Sequence, residues 1–189
     1  MTPKHLKDTQ TLLTKTGFTT SNTWYHGTSS ALVASIQAQG LKRSGDQALN
    51  DVAKATMATI GNHYQDVTEP VFLTQSKELA YYWAKQTVRE RGIRFEGGEE
   101  PVVLQVNLNE DQQSRVKPDV GAMSLLMMRD GEAFMAYIAK LYQDNNLGVP
   151  EIDLRNADRM DFLNILGMAY IDEDISRGCI EELLEPVTD

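Results

Sequence analysis

The run Trp24-Tyr25-His26-Gly27-Thr28-Ser29-Ser30 constrains this chain more than any other segment. Consecutive ring side chains favour extended backbone on a buried sheet. Gly27 ends that run, and the hydroxyls of Thr28, Ser29 and Ser30 are of the kind that accepts from the free amides of a helix start. Strand, tight turn and helix are therefore expected in that order. Leu32, Val33 and Ile36 give the helix an apolar side, and Gly40 before Leu41 stops it with a left-handed residue.

The same punctuation recurs downstream. Val71, Phe72 and Leu73 read as a short strand, Ser76 as a cap, and Leu79, Ala80, Trp83 and Ala84 recur at helical spacing up to Gly92. Residues 101–108 place Val102, Leu104, Val106 and Leu108 on one face of a half-buried strand. Ahead of these units, His5, Leu6, Leu12 and Leu13 outline a thin amphipathic helix over 5–16. Residues 42–69 read as a long loop with a helical piece at 49–60. Phe134, Met135, Ile138 and Leu141 make 109–160 a helical insertion, interrupted at 145–150, with Met123, Met127 and Met128 filling its gaps. Strands at 167–171 and 179–184 close the chain.

Charge narrows the function. The 18 Lys and Arg against 27 Asp and Glu give a net −9, which opposes broad binding to nucleic acid or anionic lipid. A hydrophobic share of 41% supports one domain over residues 1–189. Lys85, Arg89, Arg91 and Arg94 cluster, and such a run reads as a solvated helix face. Cys179 is the single cysteine and His5, His26 and His63 lack zinc-type spacing, so neither a disulfide framework nor a metal is expected. Residues 1–20 lack the apolar stretch of a secretion signal and no long apolar run follows, so a cytoplasmic protein outside the membrane is expected. Oligomeric state is open at this level.

Three segments in this order, Tyr25-His26-Gly27-Thr28 with its helix and Gly40-Leu41, then Val71-Phe72-Leu73-Thr74 with Ala80-Tyr81-Tyr82, then 102–108, resemble the ADP-ribosyltransferase superfamily over about a third of the chain. The resemblance implies an α+β fold, a split antiparallel β-sandwich core with peripheral helices and the helical insertion at about 109–160. It implies NAD as substrate, cleavage of its nicotinamide–ribose bond, and transfer of ADP-ribose to a protein or small-molecule acceptor. As nicotinamide leaves, positive charge builds on the ribose, so such a site orients the sugar and sets a negative group near it. By this resemblance His26 bonds a ribose hydroxyl, the Gly27 backbone holds the nicotinamide amide, and Thr28 or Ser29 meets the adenosine side. Phe72 and Tyr82 would sandwich the pyridinium ring, with Thr74 and Tyr81 in the same binding set.

The acid is where the chain departs from the family. Residues 174–180, Asp174-Ile175-Ser176-Arg177-Gly178-Cys179-Ile180, resemble the family's closing stretch, and counting back puts Met168 where the glutamate belongs. On that register the acceptor supplies the carboxylate; a second register makes Glu173 the catalytic acid, and a third uses Glu181-Glu182. All three stay open. The implied function is a mono-ADP-ribosyltransferase of effector or toxin type, acting in cytoplasm. Alternatives are a degenerate module that binds a nucleotide or protein partner, and a tRNA 2′-phosphotransferase-like enzyme. The acidic balance and the lack of a basic, histidine-rich stretch after Leu41 disfavour the last.

Each of these residues also has a packing reading. A histidine on an aromatic strand can be a core residue bonded to backbone. Tyr81 and Tyr82 point about a quarter-turn apart, so one packs elsewhere, and Tyr82 is expected on the sheet side. Trp83, in step with Leu79, is expected in the core, and Glu173, within Asp172-Glu173-Asp174, fits a solvated turn.

Overall fold

The computed structural model describes residues 1–59, 61, 68–119, 129–148, 151–153 and 156–184. His63, Met123, Met127 and Met128 lie outside these residues, as do Ile60 at the end of the expected 49–60 helix and part of the 145–150 break.

The expected lead-in helix is reduced to a 3-10 turn (Lys4–Leu6) and one helical turn, α1 (Thr9–Leu12), before a hairpin of β1 (Leu13–Thr14) and β2 (Gly17–Phe18). Thr14 decides this locally. Its Oγ1 accepts from the Thr16 amide at 3.2 Å and donates to the Gly17 carbonyl at 2.8 Å, bonds that favour a turn over continued helix. The first strand–helix unit forms without the expected tight turn at Gly27: β3 (Thr23–Ser29) continues through Gly27, which pairs with Val103, and runs directly into α2 (Ser30–Gln39). Ser29 Oγ caps that helix at the Ala31 amide, 3.2 Å away, and Gly40 ends it at φ 81°, where a side chain would be strained. Next come the exposed helix α3 (Gln47–Thr59), β4 (Val71–Leu73) and α4 (Lys77–Gly92).

The start of α4 is capped twice. Ser76 Oγ accepts from the Leu79 amide at 3.3 Å, and Asp8, far away in sequence, accepts from the Lys77 amide at 2.6 Å and from Ser76 Oγ at 2.7 Å. Burial raises the Asp8 carboxyl above its usual range in spite of these bonds. The far end of α4 carries Arg91, which is buried instead of lying on a solvated face. Its side chain is ion-paired to Glu99 at 2.7 Å and to Asp46, and Glu99 also accepts from Ser29 Oγ at 2.5 Å. One guanidinium thus ties α4 to the loops before α3 and before the next strand, and to the cap of α2.

That strand, β5 (Pro101–Asn107), is followed by α5 (Glu110–Arg115), β6 (Lys117–Pro118), α6 (Arg129–Asp144), α7 (Arg159–Leu166), β7 (Ala169–Ile171) and β8 (Ile180–Glu182). The strands form two antiparallel three-stranded sheets, ordered β3–β5–β8 and β4–β7–β6, in a mixed α/β fold that does not close into a barrel. The sheets touch where Tyr25 and Thr74 exchange backbone bonds of 2.8 and 3.0 Å. Trp24, Leu104, Val106 and Ile180 from one sheet share a core with Val71, Leu73, Ala169 and Ile171 from the other. Strand β5 is not half-buried as its alternation implies. Its opposite face is covered as well, with Val103 packed on Ala80 of α4 and on Leu6.

The 109–160 segment is more than a helical insertion. It supplies β6, an edge strand of the second sheet, and α6, whose Phe134, Ile138, Leu141 and Tyr142 build a second core with Phe162 and Leu166 of α7, which continues beyond the segment.

Candidate functional site

Alternation along β3 and β4 sets the two walls of a cavity. On β3, Trp24, His26 and Thr28 share one face, and Tyr25 and Gly27 the other. On β4, Val71 and Leu73 turn into the core, which leaves Phe72 pointing outward at 47% exposure. A cavity of about 510 Å³ opens between these strands and α4, within the range of small-molecule sites. Tyr25, His26, Gly27, Phe72, Leu73 and Thr74 line it from the strands, and Met168 and Ala169 from the start of β7.

His26 Nδ1 lies 2.9 Å from the Phe72 carbonyl oxygen. A carbonyl only accepts, so Nδ1 carries the proton and Nε2 is left as an acceptor. Burial lowers the imidazole pKa, and the Phe72 carbonyl opposes that shift without overcoming it. The ring is therefore a neutral, oriented acceptor at neutral pH.

Gly27 has a different reason for being glycine than close approach to a ligand. A Cβ there would land on the Ala80 carbonyl oxygen and 2.6 Å from the Ala84 amide nitrogen. Gly27, Ala80 and Ala84 together let α4 lie directly on β3. That close crossing carries the next turns of α4 to the cavity, where Trp83, Gln86, Thr87 and Glu90 complete one wall.

The aromatic pair on α4 is reversed from the sequence expectation. Tyr82 is buried in the second core, stacked on Tyr137 at 4.7 Å and tilted against Phe134 at 5.5 Å, and does not line the cavity. Trp83 lines it, braced by Tyr82 at 5.3 Å and Phe134 at 5.0 Å. Tyr81 faces a separate hollow with Leu6, Glu100 and Glu182. Thr28 and Ser29 are buried off the cavity, Ser29 being engaged as the α2 cap. Phe72 and Thr74 do line the cavity, as does Met168.

Neither candidate glutamate register reaches this cavity. Glu173 is held by Arg115, whose Nη2 and Nε donate to it at 3.0 and 3.1 Å. Glu181 and Glu182 lie on β8, paired with β5. The carboxylates that do line the cavity are Glu90, exposed near the end of α4, and Asp119, buried just after β6. Among the described residues, the lining contains no Lys or Arg, so its polarity suits a cationic or neutral group. The stripe Trp83, Gln86, Thr87 and Glu90 was detectable as helical spacing, whereas nothing in the sequence around Asp119 marks it. Among the described residues, no group of three or more His, Cys, Asp or Glu side chains is gathered for a metal ion, and no helix is long and apolar enough to cross a membrane.

Compared with known proteins, the chain matches no family model, no curated protein and no solved structure.

Proposed function

We propose that the cavity binds NAD through its nicotinamide riboside end, and that the protein is a mono-ADP-ribosyltransferase. The observation that carries this reading is His26, a neutral imidazole with its Nδ1 bonded to Phe72 and its acceptor nitrogen left for a sugar hydroxyl, set in an aromatic cavity. The cationic pyridinium ring rests on the aromatic surfaces of Phe72 and Trp83. The Gly27 backbone offers its polar groups to the carboxamide, and the Nε2 of His26 accepts from a ribose hydroxyl. Among the described residues, the lining holds carboxylates and no cation, which favours the positive ring inside and leaves the diphosphate at the mouth.

Bond cleavage is favoured because such a site stabilises the sugar cation more than the bound dinucleotide. The acceptor is a protein or small molecule. Purified protein incubated with NAD and a cell lysate is expected to release nicotinamide and to add ADP-ribose to a lysate component, seen by mass spectrometry. Both signals are lost in His26→Ala. NAD binding with no release under any condition supports the second reading, a nucleotide-binding module, which Met168 in the cavity favours. Absence of both binding and release overturns the NAD reading.

A further inference from the structure

Strand β7 pairs with β6 so that Tyr170 faces Lys117 and Ala169 faces Pro118. Continued by one residue, that register sets Met168 opposite Asp119, and the Asp119 amide donates to the Met168 carbonyl at 3.0 Å. Directly opposed residues in an antiparallel pair project from the same face, with Cβ atoms about 5 Å apart. Phe72 faces Tyr170 across β4 and β7, so it shares that face with Met168 and Asp119. All three line the cavity, and Asp119 is only 8% exposed.

We propose that Asp119 is the catalytic carboxylate of this site, contributed from just after the edge strand β6 at the position across from Met168. This inference rests on the NAD-cleaving reading above. Cleavage breaks the bond between ribose C1′ and the pyridinium nitrogen, and the bonding pair leaves with nicotinamide, which becomes neutral. The positive charge passes to C1′ and the ring oxygen. The buried Asp119 carboxylate faces that charge on the inner side of the cavity, where attraction is less screened than in water. The acceptor's oxygen or nitrogen then bonds C1′, and its proton passes to Asp119 and on to water. Glu90 is exposed near the end of α4 and serves the rim. Glu173 is neutralised by Arg115 outside the cavity.

The test measures nicotinamide release and NAD affinity side by side for the full chain, Asp119→Asn, Asp119→Glu, Glu90→Gln and the double variant Asp119→Asn with Met168→Glu. Asp119→Asn is expected to slow release about 100-fold while NAD affinity stays within about threefold. The retained affinity also shows that the variant is folded. Asp119→Glu is expected to keep more activity than Asp119→Asn, and Met168→Glu to restore part of the release by returning a carboxylate to the same face. Release by Asp119→Asn at the unmodified rate, or loss in Glu90→Gln with none in Asp119→Asn, overturns the assignment while the NAD-cleaving reading stands. Failure of the unmodified protein to cleave NAD under any condition removes both.

Discussion

The His26 imidazole donates from Nδ1 to the Phe72 carbonyl across 2.9 Å, a bond that links the strand β3 of one sheet to β4 of the other at the wall of the cavity. It fixes the tautomer that the proposed sugar contact requires, so one contact serves both the fold and the cavity wall.

Because burial lowers the His26 pKa, the unfolded chain binds a proton more readily than the folded one. The stability this residue contributes is fully present above the unfolded value of about 6.5 and is lost as pH falls through the lower folded value. Melting temperatures recorded from neutral pH downward should fall more steeply for the unmodified protein than for His26→Gln. His26→Ala should weaken NAD binding about tenfold by removing the acceptor at Nε2.

Gly27→Ala tests the close crossing of α4 on β3. The three nearest atoms that a new Cβ meets are all backbone, so none can swing aside. The variant should lose about 3 kcal/mol in denaturant unfolding, and NAD binding should weaken with the displacement of Trp83.

Arg91 provides a test at the other end of α4. Its side chain is 6% exposed and pairs with Glu99 and Asp46. The pairing with Arg91 holds the Glu99 carboxyl below its usual range. Arg91→Met leaves both acids without their cation and should cost about 3–5 kcal/mol, measured by urea unfolding. Adding Glu99→Gln and Asp46→Asn should recover part of that loss.

Much of the scaffold was legible in the sequence, and the reasons are local. Ser29 and Ser76 cap helices as their positions imply, Gly40 ends α2, and the alternation over 101–108 picks out the inner face of β5. Of the candidate site residues, His26, Phe72 and Met168 line the cavity with Gly27 and Thr74. The cavity wall was not legible on α4. Tyr82 and Trp83 are adjacent, and which one enters the cavity depends on the rotation of the helix, set by Gly27 against Ala80 and Ala84. Asp119 was hidden because it follows a two-residue strand whose partner lies about fifty positions further along, and no periodicity encodes such pairing.

The chain has two tryptophans, and only Trp83 lines the cavity, Trp24 being 1% exposed in the core. NAD titration should therefore change indole emission through Trp83 alone. Trp83→Phe should abolish the signal while calorimetry still records binding, since phenylalanine keeps an aromatic face.

The central claim is met most directly by a crystal structure with a non-cleavable NAD analogue that carries a carbon in place of the ribose ring oxygen. The nicotinamide ring is predicted against Phe72 and Trp83, with a sugar hydroxyl in hydrogen-bond reach of His26 Nε2. An analogue seated elsewhere on the protein, or held in the cavity by its adenine with the sugar away from His26, would contradict the account.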